Sequence, residues 1–174
     1  ETEVAAVADT VVLCVQPGSG DSLQYMKAGI AEIPDIVVVT KADLGAAALK
    51  AKSDVEAALR LSPSATGDWA VPAQLLSSLE GQGIDALIEA LAQHARFLAA
   101  NGRRERRRAA QADAWLAEAL REEFGRQGLA RAAESPDGLT TPPGQSPFRR
   151  LHELARTLRG ETGAGRLARE ALRS

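Results

Sequence analysis

The run Ile36-Val37-Val38-Val39-Thr40 leaves this chain little choice of fold. It is too short for a helix, it is β-branched throughout, and it is apolar on both of the faces that a strand presents. A strand with no polar face must be covered on both sides, as a central strand is in a parallel sheet between helices. The first hundred residues supply the matching parts. Residues 10–15 form a second short β-branched run, closed by Pro17-Gly18-Ser19-Gly20, and residues 71–76 a third, with Pro72 placing it near a strand start or an edge. Helical patterns lie between and after them. Asp21 or Ser22 can cap a helix carrying Leu23, Met26, Ile30 and Ile33, which Pro34-Asp35 ends. Residues 45–61 predict a helix buried along Leu49, Val55, Ala58 and Leu59, and residues 84–100 one buried along Leu87, Ile88, Leu91 and Phe97. Residues 62–68 and 77–83 read as loops. This alternation predicts an α/β fold with right-handed crossovers.

Only six of the 174 residues are aromatic, so the core must come from Val, Ile, Leu and Ala. The single cysteine, Cys14, lies inside an apolar strand pattern and is expected to be a small buried hydrophobe. One cysteine cannot form an internal disulfide, which points to a reducing, cytoplasmic setting. No stretch approaches the ~20 apolar residues that span a bilayer, and no signal peptide is visible, so no membrane role is expected. A net charge of −2 does not suggest a nucleic-acid binder.

After Asn101-Gly102 the character changes. Residues 103–130 form an Arg-rich helical pattern with Ala112, Leu116, Leu120 and Phe124 at four-residue steps. Residues 135–147 hold four prolines and two glycines and read as a linker or irregular crossing. A helix over residues 148–158 and a short tail helix follow. The expected division is an α/β part over residues 1–101 and a helical extension over residues 102–174.

The chemistry gathers after the strands, where open parallel sheets bind ligands. Thr40-Lys41-Ala42-Asp43 follows the central strand directly. A carboxylate at Asp43 can accept hydrogen bonds from guanine N1–H and from its exocyclic amine. Adenine offers an acceptor in place of the first and lacks the second, so the wrong base leaves a carboxylate unpaired. The stem of Lys41 can lie along the ring, and Thr40 can tie the loop to its neighbours. The same tetrapeptide also fits a plain helix cap, with Asp43 capping the helix that follows. Ser77-Ser78-Leu79 then follows the third strand and opens the next helix. In G proteins a Ser-Ala-(Lys/Leu) loop at this point presents a backbone N–H to guanine O6. Here Ser78 replaces Ala, which keeps the N–H and adds a hydroxyl.

Glu1-Thr2-Glu3-Val4, Ala8-Asp9-Thr10-Val11-Val12-Leu13, Pro17-Gly18-Ser19-Gly20-Asp21-Ser22-Leu23-Gln24 and the stretch from Ile33 to Asp43 resemble MeaB/ArgK-type G proteins. The likeness covers residues 1 to about 100 and loosens beyond Gly102. It implies the C-terminal part of a P-loop G domain followed by an α-helical arm that makes a homodimer. It implies GTP or GDP as ligand, held at Thr40, Lys41, Asp43, Ser77, Ser78 and Leu79, and Mg2+ in the intact protein. It also implies service to an adenosylcobalamin-dependent methylmalonyl-CoA mutase, with Asp21, Gln24 and Lys27 on a switch segment facing that partner. The competing family label is a lysine/arginine/ornithine transport ATPase.

No Gly-x-x-x-x-Gly-Lys-(Ser/Thr) occurs in the sequence, and Pro17-Gly18-Ser19-Gly20-Asp21 lacks the lysine. The phosphate loop and the metal ligands are therefore expected upstream of Glu1. This polypeptide alone should hydrolyse no GTP, and its sheet should keep an exposed edge. Two rivals stand beside the G-protein reading. The run Arg103-Arg104-Glu105-Arg106-Arg107-Arg108 could serve nucleic acid, but it has no interleaved aromatics. The helical extension could instead be a dimerisation module with Trp115, Leu116, Leu120 and Phe124 as its seam. Neither His94 nor His152 has a metal-ligand neighbour at useful spacing, and both are expected at the surface or at caps.

Overall fold

The computed structural model describes residues 2–18, 33–61 and 69–160. The chain divides into two compact units, one running to Arg104 and the other starting at Glu105.

In the first unit three parallel strands, β1 (Val12–Val15), β2 (Ile36–Val39) and β3 (Ala73–Leu75), lie in the order β1-β2-β3. β2 is central and all four of its residues are buried, as its two-faced apolar pattern requires. Val37 and Val39 pack with Val15 and with Ala48 and Val55 of helix α1 (Ala46–Leu61). Ile36 and Val38 face the other way, onto Leu87 and Ala90 of helix α2 (Ile84–Ala99). One helix therefore covers each face.

The helices turn inward along smaller residues than their apolar patterns suggest. α1 buries Ala48 and Val55, while Leu49 stays 59% exposed. α2 buries Ala90, His94 and Leu98, and Ile88 is 58% exposed. Leu91 also lies at the surface. The branched side chains of β2 already fill the space above the sheet, and alanines allow the helix axes to approach it closely. Cys14 corrects a second expectation, because it is exposed. The helices lie over β2 and β3, and β1 is an edge strand among the described residues.

His94 is the third correction, because it is fully buried. Its Nδ1 lies 2.9 Å from Thr10 Oγ1 and its Nε2 3.3 Å from Asp35 Oδ1. Asp35 Oδ2 accepts from the Val11 N–H at 2.8 Å, and the Asp35 carbonyl accepts from Trp69 Nε1 at 2.7 Å. The residues that lead into all three strands thus meet α2 in one polar knot. Trp69 and Phe97 wall it off, with ring centroids 5.2 Å apart. His152 is exposed, as expected.

The second unit holds most of helix α3 (Arg103–Ala133) and helix α4 (Pro147–Leu158). α3 breaks at Gly125, whose φ of 66° and ψ of −170° leave the helical region. Leu116 and Leu120, on one side of the break, pack with Ala132 on the other and with Leu154 of α4. Both leucines are fully buried within this unit, so they are not free to form an intermolecular seam. The proline-rich stretch between the helices is held in place. Arg150 Nη2 donates to Gly138 O at 3.1 Å and to Ser135 Oγ at 3.2 Å, and Thr141 N–H donates to Asp113 Oδ1 at 2.7 Å. Ser146 caps α4 by accepting from the Arg149 N–H. The expected helix over residues 21–33, the tail helix and the loop over residues 62–68 lie largely or wholly outside the described residues.

Candidate functional site

The ends of β2 and β3 carry the two loops singled out by the sequence, and the fold brings them together. Thr40 leaves β2 with its N–H donating to Val15 O at 2.9 Å and its hydroxyl donating to the same oxygen at 3.2 Å. Thr40 therefore ties the first loop to the end of β1. Lys41 follows in the left-handed region, φ 55° and ψ 46°, an uncommon conformation for a residue with a side chain. Residues Ala42–Leu44 then make one 3-10 turn, pinned by the Ala42 N–H to Leu76 O at 3.0 Å.

Asp43 does not act as a helix cap. Its Oδ1 accepts from Ser77 Oγ at 2.6 Å, across 34 residues of chain. Ser77 is buried, and its hydroxyl oxygen also accepts from the Glu80 N–H at 3.3 Å. Ser77 pairs with Gln82 in an antiparallel bridge, closing the second loop into a ring. Lys41, Asp43, Ser78 and Leu79 are exposed around this anchor, Leu79 at 84%. Asp43 Oδ2 has no protein donor among the described residues, and the Ser78 N–H has no protein acceptor there. The result is a fixed carboxylate, an open N–H donor, a lysine stem and an apolar side chain, all on one rim. These are the groups that a planar base with a donor edge and a carbonyl needs. Asp21, Gln24 and Lys27 lie outside the described residues. Among the described residues no cluster of three or more His, Cys, Asp or Glu could hold a metal. No described helix is long and apolar enough to cross a membrane.

The family described as "Methylmalonyl Co-A mutase-associated GTPase MeaB" matches residues 1–133. The chain belongs to the MeaB family. A Caulobacter vibrioides protein, itself only provisionally named a GTPase, is 38% identical over 117 residues, covering 67% of this chain and 36% of its own length. The Escherichia coli protein named GTPase ArgK is 32% identical over 125 residues, covering 71% of this chain and 38% of its own. A Mus musculus relative named "Methylmalonic aciduria type A homolog, mitochondrial" is 30% identical and is covered over 28% of its length. The chain therefore spans well under half of the curated MeaB-type relatives it matches. A crystal structure of a LAO/AO transport system kinase superposes with a TM-score of 0.59 at 25% identity, over 90% of this chain and 53% of that one. The α/β fold with its parallel sheet and flanking helices is thus that of a P-loop GTPase.

Sequence reasoning missed the Asp35–His94 knot and the Ser77–Gln82 bridge that closes the second loop. A buried histidine leaves no local pattern, and Gly81-Gln82-Gly83 reads only as a loop.

Proposed function

We propose that this MeaB-family chain contributes the base-recognition part of a guanine-nucleotide site, with Thr40, Lys41, Asp43, Ser77, Ser78 and Leu79 as its residues. The observation that carries this is the Ser77–Asp43 hydrogen bond. It holds a carboxylate at the end of the central strand with one oxygen still open. Asp43 accepts from guanine N1–H and the exocyclic amine, the Ser78 N–H donates to O6, and Lys41 and Leu79 flank the ring. Adenine forfeits the two carboxylate bonds, each worth about 1.5–3 kcal/mol when one partner is charged.

Phosphoryl transfer needs phosphate- and magnesium-binding groups, and no Gly-x-x-x-x-Gly-Lys-(Ser/Thr) stands in this sequence. On this reading, hydrolysis of GTP with Mg2+ requires phosphate- and metal-binding groups that this sequence does not contain. Isothermal titration with GDP and ADP, beside a phosphate-release assay with GTP, tests both parts. Weak binding that prefers GDP, with no turnover, is expected. Equal affinity for ADP or steady GTP turnover would overturn the corresponding part.

The family description supports a methylmalonyl-CoA mutase as partner. We further propose that the mutase is of the adenosylcobalamin-dependent class, that residues 102–174 form a dimerising extension, and that Asp21, Gln24 and Lys27 lie on the partner-facing segment. Co-sedimentation with such a mutase, repeated with Asp21, Gln24 and Lys27 replaced by alanine, checks the assignment. Unchanged association of the triple variant would remove those residues from the interface. The name of the solved relative keeps a transport-associated kinase as the second reading, and ADP preference in the titration would favour it.

A further inference from the structure

Gly81 and Gly83 lie on either side of Gln82, and both sit at positive φ, 70° and 79°. Their surroundings differ completely. A Cβ added at Gly81 would meet nothing within 4 Å. A Cβ added at Gly83 would lie 2.0 Å from the Leu75 carbonyl oxygen, 3.1 Å from its carbon and 3.3 Å from Leu76 Cα. These are backbone atoms at the end of β3, and no rotamer change removes them. Gly83 is also the residue that starts α2, its carbonyl accepting from the Leu87 N–H at 3.1 Å.

The segment it touches carries both recognition loops. Leu76 N–H donates to Val39 O at 2.9 Å, and Leu76 O receives the Ala42 N–H of the first loop. Ser77, the next residue, holds the Asp43 carboxylate. A side chain at position 83 must displace either the first turn of α2 or the Leu75–Ser77 backbone. The backbone carries Ser77 away from Asp43. We infer that Gly83 is a positioning residue for base recognition: its missing side chain lets α2 start against the end of β3 and so sets the Ser77 hydroxyl at the Asp43 carboxylate. This rests on the guanine reading above.

The experiment uses the whole 174-residue chain, labelled with 15N and titrated with GDP and with ADP while amide shifts are followed, a readout suited to weak binding. Gly81→Ala and Gly83→Ala both place a side chain at positive φ, so the first is a control for the second. Gly81→Ala should change GDP affinity by no more than about threefold. Gly83→Ala should weaken it by about tenfold or more, the scale of one charge-assisted hydrogen bond, and shrink the preference over ADP. Its shift changes should centre on Asp43 and Ser77 to Leu79. Asp43→Ala separates the two ideas. If it leaves the GDP titration unchanged, the guanine reading fails. If it abolishes the titration while Gly83→Ala behaves like Gly81→Ala, the reading stands and the inference falls. If Gly83→Ala does not fold, or the unmodified chain shows no GDP shifts, amide exchange on the unmodified chain decides. The Ala42, Ser77 and Leu87 amides should then open together as one unit, and independent opening would overturn the inference.

Discussion

Ser77 Oγ sits 2.6 Å from Asp43 Oδ1, a direct bond between the two loops that leave the ends of β2 and β3. The buried hydroxyl holds the exposed carboxylate in one orientation. Ser77→Ala should therefore weaken GDP binding by about tenfold, the worth of one orienting hydrogen bond. Asp43→Ala should weaken it by about a hundredfold or more, since both base contacts go. Titration of each variant with GDP checks the order. A Ser77→Ala chain binding as well as the unmodified one would make the serine a bystander.

Lys41 holds a left-handed backbone at φ 55°. Lys41→Gly removes a strain of about 1–2 kcal/mol and adds about 0.5–1 kcal/mol of backbone entropy to lose on folding. The melting temperature should move little, upward if at all, while GDP affinity falls with the lysine stem. Melting and titration on one sample test this. A large loss of stability would show that the lysine is needed for the fold.

Asp35 and His94 form a buried pair beneath the strand starts. Removing the Asp35 carboxylate takes the acceptor from the Val11 N–H and the polar neighbour from one side of the buried His94 ring, each such loss costing about 1–3 kcal/mol. Asp35→Ala should thus destabilise the first unit far more than Asp43→Ala does, although both remove one carboxylate. Urea unfolding followed by Trp69 fluorescence measures the contrast.

Leu120 is fully buried against Leu154 and Ala132 in the second unit. Leu120→Ala should cost about 2–5 kcal/mol. Its effect should appear in the stability of the helical unit, at any protein concentration. A loss confined to a change in oligomeric state, seen by analytical ultracentrifugation, would return Leu120 to an intermolecular seam.

Glu153 accepts from Gln145 Nε2 at 2.9 Å and from Arg149 Nε at 3.3 Å. The Gln145 hydrogen bond first, and then Arg149, hold its carboxyl below the usual glutamate value. A carboxyl lowered on folding adds stability above its unfolded value, and that stability fades as pH falls through the folded value. The second unit should lose a small increment of stability in acid, and Glu153→Gln should remove that part of the dependence. Circular dichroism against pH, with and without the substitution, reads it.

Much of the first unit was legible in the sequence, because β2 is apolar on both faces and only one kind of place accepts such a strand. The loops after β2 and β3 were legible for a related reason: polar residues directly after an apolar strand can only sit at the end of the sheet. The helix faces were misread at Leu49, Ile88 and Leu91, where side-chain size suggested burial but the sheet surface left room for alanine. His94 and Cys14 were misread in opposite directions. The first is buried by a partner 59 residues away in the chain, and the second is exposed by its strand's place at the edge. In the second unit the leucine stripe was visible, but not that Gly125 folds the chain back onto it.

The strand starts are locked by Asp35, His94 and Trp69, and the two loops proposed for base recognition hang from the opposite ends. Such a division separates the inheritance of a fold from the inheritance of a preference. An exposed rim position such as Asp43 can change, and with it, on the guanine reading, the choice of base, while the part that decides whether the chain folds stays untouched. A lineage built this way can change its ligand in single steps without passing through an unfolded ancestor.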